Sequence, residues 1–487
     1  MAYDVRRAAV RLYPHAAQEP SRVRSPRARR TARNVHRFQG MSVLRSLLAL
    51  AALLGLALLG FTQAAFSRAG FAQPVNVCLA PLPTTFGTPA KPLTGYSDRS
   101  LEPFDRVMTR LLERYQIPGA SLAVSKDGRL LLARGYGWAD VEAKEPVHPD
   151  SLFRIGSLTK PITAVTVLHL GEQLVRQGRF PNLETFLQAR VYELLALEPK
   201  GGQLGDPRIA DITVRDLLQH SAGWNRNVAG DPMFRPTLTY VARSLGMGEA
   251  MPVQPLIEYM FSRKLSFTPG TFSAYSNLGY AVLGQLIERL SAQSYAAYLQ
   301  KMLGQMGIHH ITVGHTRLQD RLPGEVRYYD FPNAPLVPSV LDGSMVPRPY
   351  GEFYLEAQAA NGGLVASAPE LVKFVAVLEG HRPEASPISP EARKIMLERP
   401  PLPQYKGSKV YYALGWSVRP EKNGLMWSHD GALAGTRTLL LRLPDDTVIA
   451  AFFNSRPWND WSFIADLKNS LLNAAQQVTR WPGYDCF

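Results

Sequence analysis

Strand-like segments lie at the two ends of this chain with a long, mostly helical stretch between them, and that order constrains the fold more than any other feature. Residues 119–137 read as two strands around a turn at Lys126-Asp127-Gly128. Leu122-Ala123-Val124 and Leu130-Leu131-Leu132 supply their apolar faces. Four further strands are predicted far downstream, over 411–418, 424–429, 435–442 and 447–453, the last two joined at Asp445-Asp446. Phe104, Val107, Met108, Leu111, Leu112 and Tyr115 recur at helical spacing and predict a helix over 101–116; a final helix is predicted over 460–478. Two strand groups this far apart can share one antiparallel sheet, covered by the first and last helices.

The interior supplies the second half of the architecture. A long helix is predicted over 157–174, and Thr213-Val214-Arg215-Asp216 has the form of a capping box ahead of a short one. Further helices are predicted over 254–263 and 276–292, and Ser367-Ala368-Pro369 opens another. Residues 316–357, rich in Pro and Gly, read as surface loops around a cleft. The expected fold class is α+β: an antiparallel sheet flanked by terminal helices, with a mostly helical second lobe. The sheet lobe would comprise about 100–156 and 358–487, the helical lobe about 157–357. A cleft between two such lobes is a natural place for an active site.

The formal charge of +14 over 487 residues invites nucleic acid as a partner until the charge is located. Residues 1–45 hold eleven arginines against Asp4 and Glu19, a balance of +9; the other 442 residues carry only +5. The arginines are scattered, no aromatic ladder accompanies them, and the uncharged run Ser46–Ser67 follows at once. A basic stretch ahead of Leu47–Phe61 has the form of a signal peptide, and the full run 46–67 is long enough for a membrane anchor. Residues 1–72 are therefore read as a basic extension with a signal peptide or signal-anchor, Met41 being the expected start. Residues 73–99 read as a linker and 100–487 as the folded domain, exported to the periplasm or beyond, with no nucleic-acid partner. Two cysteines exclude a disulfide-dense scaffold and a cysteine-rich metal module. In an oxidising compartment Cys78 and Cys486 either pair, if the ends of the fold meet, or stay unlinked.

Three short constellations can carry chemistry. In Ser157-Leu158-Thr159-Lys160 the hydroxyl and the amine lie on adjacent turns of one helix face. A serine is a weak nucleophile until a base takes its proton, and lysine is that base only where its pKa is depressed. In Tyr275-Ser276-Asn277, ahead of a helix, a tyrosine acidified by nearby cations can relay protons, and the asparagine amide can hold a substrate carbonyl and hydrogen-bond the lysine. In His429-Asp430-Gly431, at a strand end, glycine permits close approach of a substrate, and His429 can hydrogen-bond the tyrosine. Each motif alone also reads as a cap, a packed aromatic or a surface turn. There is no Gly-x-Ser-x-Gly elbow, which argues against an alpha/beta-hydrolase. His309, His310 and His315 lack a partnering Cys or carboxylate at a metal-binding spacing, and His220 reads as a brace for the turn after the capped helix.

Taken in order, Ser157-x-x-Lys160, Tyr275-x-Asn277 and His429-x-Gly431 resemble the serine beta-lactamase and penicillin-binding-protein superfamily. Their spacing is similar to its class C beta-lactamase, DD-peptidase and family VIII esterase branch. The segments 212–223, Ala360-Asn361-Gly362-Gly363-Leu364 and Leu414-Gly415-Trp416 are also similar to family segments, and the resemblance spans about 100–478. It implies a beta-lactamase/transpeptidase-like fold and an acyl-enzyme mechanism. Ser157 would attack an acyl carbonyl, with Lys160 and Tyr275 handling the proton as a coupled pair. Asn277, His429, Gly431 and Ala432 would bind substrate, and the backbone N–H groups of Ser157 and Ala432 would form an oxyanion hole. Neither a cofactor nor a metal is implied.

Two departures bear on the substrate. His429 stands where most beta-lactamases of this branch place a lysine, and Asp430 where threonine or serine is common. An acidic side chain pointing into the cleft would repel a substrate carboxylate, which argues against efficient beta-lactam hydrolysis. The expected activity is esterase-like, with a D-amino-acid peptidase or DD-carboxypeptidase acting on peptidoglycan stem peptides as the alternative. A non-catalytic envelope-binding protein is the competing class, and it predicts no covalent adduct at Ser157. The motifs leave the oligomeric state open.

Overall fold

The computed structural model describes residues 91–487. The extension, signal segment and start expected within 1–72, and Cys78, lie outside the described residues.

Among the described residues, eight strands make the path of the main sheet: β1 (Leu93–Tyr96), β2 (Gly119–Lys126), β3 (Arg129–Asp140), β4 (Tyr411–Tyr412), β5 (Ser417–Glu421), β6 (Gly424–Leu433), β7 (Thr436–Arg442) and β8 (Thr447–Phe453). Their spatial order is β1-β3-β2-β8-β7-β6-β5-β4, antiparallel throughout, with the short strand Glu145–Pro146 added on β3. The join between the two ends of the chain falls between β8 and β2, where Thr447 pairs with Lys126 and Phe453 with Ala120. At the β2–β3 turn Asp127 and Gly128 have φ of 51° and 74°, the two left-handed residues that a tight hairpin needs.

Alternation along the central strands divides the sheet into two apolar faces. Leu122, Val124, Leu439, Leu441, Ile449, Ala451 and Phe453 face one way. There they pack with Phe104, Met108 and Leu111 of α1 (Glu102–Arg114) and Phe463, Leu467 and Leu471 of the last helix, Asp460–Gln477. Ala123, Leu440, Ala450 and Phe452 face the other way, into the larger core that holds the helical lobe. Each fully buried aliphatic or aromatic side chain contributes roughly 1.5–3 kcal/mol relative to exposure, so two filled faces fix the register of β2 and β8. The first and last helices also meet through Arg110 and Arg114 on Asp466, exposed pairs that add little.

The helical lobe is built around α2 (Thr159–Arg176), which is buried over most of its length, and α3 (Asn277–Ser291). The capping box is present as read: Thr213 accepts from the Asp216 backbone and Asp216 from that of Thr213. Three expectations are corrected. The segment taken as a linker over 73–99 contains β1, which pairs with β3 because Leu93–Tyr96 lies beside an open sheet edge. The strand expected over 411–418 is split into β4 and β5; Gly415 between them has φ of 86° and packs against Ala164 of α2. The strand expected over 424–429 continues to Leu433. No helix among the described residues is long and apolar enough to cross a membrane.

Candidate active site

Ser157 does not lie in the helix itself but in the 3-10 turn Gly156–Leu158 that leads into α2. Gly156 has φ of 54°, and a Cβ on it would stand 3.0 Å from the backbone nitrogen of Ala432. Across the contact, a Cβ on Gly431 would lie 2.1 Å from the Ile155 carbonyl oxygen and 3.1 Å from the Ser157 nitrogen. Thr438 Oγ1 donates to that same Ile155 oxygen at 2.8 Å. Two side-chain-free positions therefore let the serine turn press against β6, with the Ser157 and Ala432 nitrogens close to the same contact.

The hydroxyl of Ser157 joins two other motif residues. Tyr275 donates to Ser157 Oγ at 2.7 Å, and Lys160 Nζ lies 3.2 Å from the same oxygen. Lys160 Nζ also donates to Asn277 Oδ1 at 2.8 Å and to the Asn361 carbonyl at 2.6 Å. Burial lowers the Lys160 pKa well below the usual ammonium value. A neutral amine has two N–H donors, one for each of these carbonyl oxygens, and one lone pair, left for the Ser157 hydroxyl. Burial pushes the Tyr275 phenol up, so it stays protonated and serves as a donor. The sequence expectation of a tyrosine acidified by cations is corrected: the Arg226 guanidinium lies 4.6 Å from its ring centre and pulls the other way, but burial dominates.

Asn277 also donates through Nδ2 to Asp231 Oδ2 at 2.7 Å, and Asp231 Oδ1 accepts from the Met233 backbone. His220 supports the other side of the tyrosine. Its Nδ1 accepts from the Ser276 backbone, and its ring packs 4.5 Å from those of Tyr275 and Tyr412. This agrees with a brace, and burial keeps it neutral by lowering its pKa well below the usual histidine value.

His429 is placed differently from expectation. Its ring centre is 6.4 Å from that of Tyr275, and its nitrogens are engaged by the Tyr412 hydroxyl at 3.0 Å and the Asp430 carbonyl at 2.8 Å. The partner tyrosine is Tyr412 because β4 and β5 bring it beside the strand end. Burial lowers the His429 pKa to about 4, so the ring is neutral near pH 7. Asp430 reaches the cleft, half-exposed, but Arg437 Nη1 donates to it at 2.7 Å. The expected repulsion of a substrate carboxylate is thus offset by a buried guanidinium.

Ser157, Tyr275, Asn277, His429 and Ala432 all line one cleft of about 540 Å³, with Lys160 buried behind them. Four contributors were not assigned roles from sequence: Arg226, Asp231, Tyr412 and Asn361. Asn361 belongs to a segment similar to the family pattern and could have been found there. Arg226, Asp231 and Tyr412 carry no local signal, since their importance comes from packing against Tyr275, Asn277 and His429.

A model of the family described as Beta-lactamase matches residues 104–472. Penicillin-binding protein 4* of Bacillus subtilis is 24% identical over 381 residues, covering 77% of this chain and 74% of that protein. Esterase EstB of Burkholderia gladioli is 32% identical over 214 residues, 41% of this chain and 48% of that protein. The chain spans about half the length of the first curated relatives it matches. Among solved structures, the D-amino acid amidase from Ochrobactrum anthropi SV3 has the same fold, with a TM-score of 0.58 and 22% identity over 78% of this chain and 99% of that one.

Proposed function

Because this chain belongs to the beta-lactamase family, a family of serine hydrolases, we propose that it is an acyl hydrolase with Ser157 as nucleophile, acting on small esters. The observation that carries this reading is the continuous chain Tyr275–Ser157–Lys160 at 2.7 and 3.2 Å inside the cleft. In it, Lys160 takes the Ser157 proton as Oγ bonds to the substrate carbonyl carbon. The carbonyl oxygen becomes an anion held by the Ser157 and Ala432 N–H groups. As the bond to the leaving group breaks, that group takes a proton through Tyr275, which is resupplied from Lys160. Water then attacks the acyl-enzyme by the reverse proton path and releases the acid.

The resemblance to an esterase supports ester substrates. Resemblance to a penicillin-binding protein keeps D-amino-acid peptides, including peptidoglycan stem peptides, as the second reading. The test is to incubate the protein and Ser157→Ala with a fluorophosphonate, p-nitrophenyl esters, D-alanyl dipeptides and penicillins. Labelling and ester turnover confined to the wild type are expected. Labelling of both proteins or of neither would overturn Ser157 as nucleophile, and turnover confined to the dipeptides would overturn the ester reading. Export is part of the proposal, supported by the basic stretch and the uncharged run 46–67; an intact mass of the natively produced protein shows whether that run is removed or retained as an anchor.

A further inference from the structure

Among the described residues, five arginines line the cleft, and four of them are held by carboxylates. Arg235 bonds Glu249, Arg348 bonds Glu352 at 2.8 Å, Arg437 bonds Asp430 at 2.7 Å, and Arg456 bonds Asp460 at 3.0 Å. Arg226 differs. Its nearest carboxylate oxygen is Asp231 Oδ2 at 4.0 Å, beyond hydrogen-bond reach, and that oxygen already accepts from Asn277. The Asp231 partner oxygen accepts from Met233. The Arg226 side chain is 43% exposed, and its guanidinium rests on the Tyr275 ring, one aromatic ring away from Ser157.

An arginine presents five N–H donors in a planar fork that matches a carboxylate. Among the described residues, no acceptor takes these donors within hydrogen-bond distance, although the side chain is fixed over an aromatic face inside the cleft. His429 is neutral and Lys160 is engaged by three oxygens, so neither supplies a free cation beside the serine. Asp430, the exposed acid of the cleft wall, is occupied by Arg437.

We infer that Arg226 is a specificity residue that binds a substrate carboxylate, and that the preferred substrates are esters or amides carrying a carboxylate near the scissile carbonyl. This rests on the hydrolase reading above and names the substrate class of that same site. The carboxylate can belong to the acyl part, as in a dicarboxylic half-ester, or to the leaving part, as in an N-acyl amino acid.

The test compares p-nitrophenyl hemiglutarate with p-nitrophenyl butyrate, and 3-carboxyphenyl butyrate with phenyl butyrate, in the wild type, Arg226→Gln and Arg226→Lys. In at least one pair, the wild-type ratio of kcat/KM for the charged over the neutral ester should fall about tenfold in Arg226→Gln, through KM, as expected for loss of a charge-assisted hydrogen bond. Arg226→Lys should restore part of it. The pair that responds identifies which side of the substrate carries the carboxylate. Equal loss on charged and neutral esters, or no wild-type preference for either charged ester, would overturn the inference while leaving the hydrolase reading intact. Turnover of the neutral ester by Ser157→Ala would instead overturn the hydrolase reading.

Discussion

Tyr275 donates a 2.7 Å hydrogen bond to Ser157 across 118 residues of chain. The serine belongs to the turn that starts the helical lobe, and the tyrosine directly precedes Ser276, the N-cap of α3. Because Tyr275 stays protonated, the proposed mechanism has it supply a proton rather than remove one from the serine.

Replacing that hydroxyl therefore isolates the step at the leaving group. Tyr275→Phe keeps the ring that packs against His220 and Arg226 and should lower kcat by about 10²–10⁴-fold with a modest change in KM, the range for loss of a general acid. Steady-state kinetics on a phenyl ester and on an alkyl ester make the check sharper. The alkyl ester, whose leaving group needs its proton more, should lose more; an equal loss on both would count against Tyr275 as the acid.

In the proposed mechanism Lys160 sets the pH dependence. Its ammonium form is disfavoured by burial, so the neutral base appears at a lower pH than for a free lysine. The value of kcat/KM should rise with pH along an acidic limb whose midpoint lies below the usual 10.5. Lys160→Arg, which stays protonated, should lose about 10³-fold or more. A pH–rate profile whose limb sits at the free-lysine value would rule out Lys160 as the base.

His429 predicts a pH dependence of stability. Its pKa is about 4 in the folded chain against 6.5 for an unperturbed histidine. The unfolded chain binds the extra proton between these values, so the contribution is complete above about 6.5 and is lost as pH falls toward 4. Thermal unfolding should show Tm falling through that window, and His429→Gln should make the slope shallower. Identical slopes in the two proteins would mean that His429 is not held neutral.

The contact between the serine turn and β6 tolerates no added atom. Gly431→Ala would place a methyl 2.1 Å from the Ile155 oxygen, costing about 1–3 kcal/mol in stability and roughly 100-fold in kcat/KM by displacing the serine. Gly304→Ala provides the contrast: it lies in the helix Tyr295–Gln305 with nothing within 4 Å of its Cβ, and should raise stability by about 0.5–1 kcal/mol. Denaturant melts and ester kinetics of the two variants give the comparison, and an active Gly431→Ala would contradict the close packing described.

Much of the fold was legible because alternation and helical spacing are local. Leu122 and Val124 declare a different face from Ala123, and the six apolar positions of 101–116 declare one side of a helix. The broken strand at Gly415 was not legible, since its cause is contact with Ala164 on another element. Neither was β1, four residues in a Pro- and Gly-rich stretch that become a strand only because β3 offers an edge.

The sequence by itself determined the residue types that can do the chemistry and their order: a serine with a lysine three positions on, a tyrosine with an asparagine two positions on, and a histidine with a glycine two positions on. Only the tertiary structure decided which partners those residues have. His429 bonds Tyr412, Asp430 is neutralised by Arg437, and Arg226 lies on Tyr275 with no acceptor among the described residues within hydrogen-bond distance. The reason is physical. Spacing along the chain fixes which way a side chain points on its own element, whereas hydrogen-bond partners, burial and the resulting protonation states depend on which distant elements pack against it.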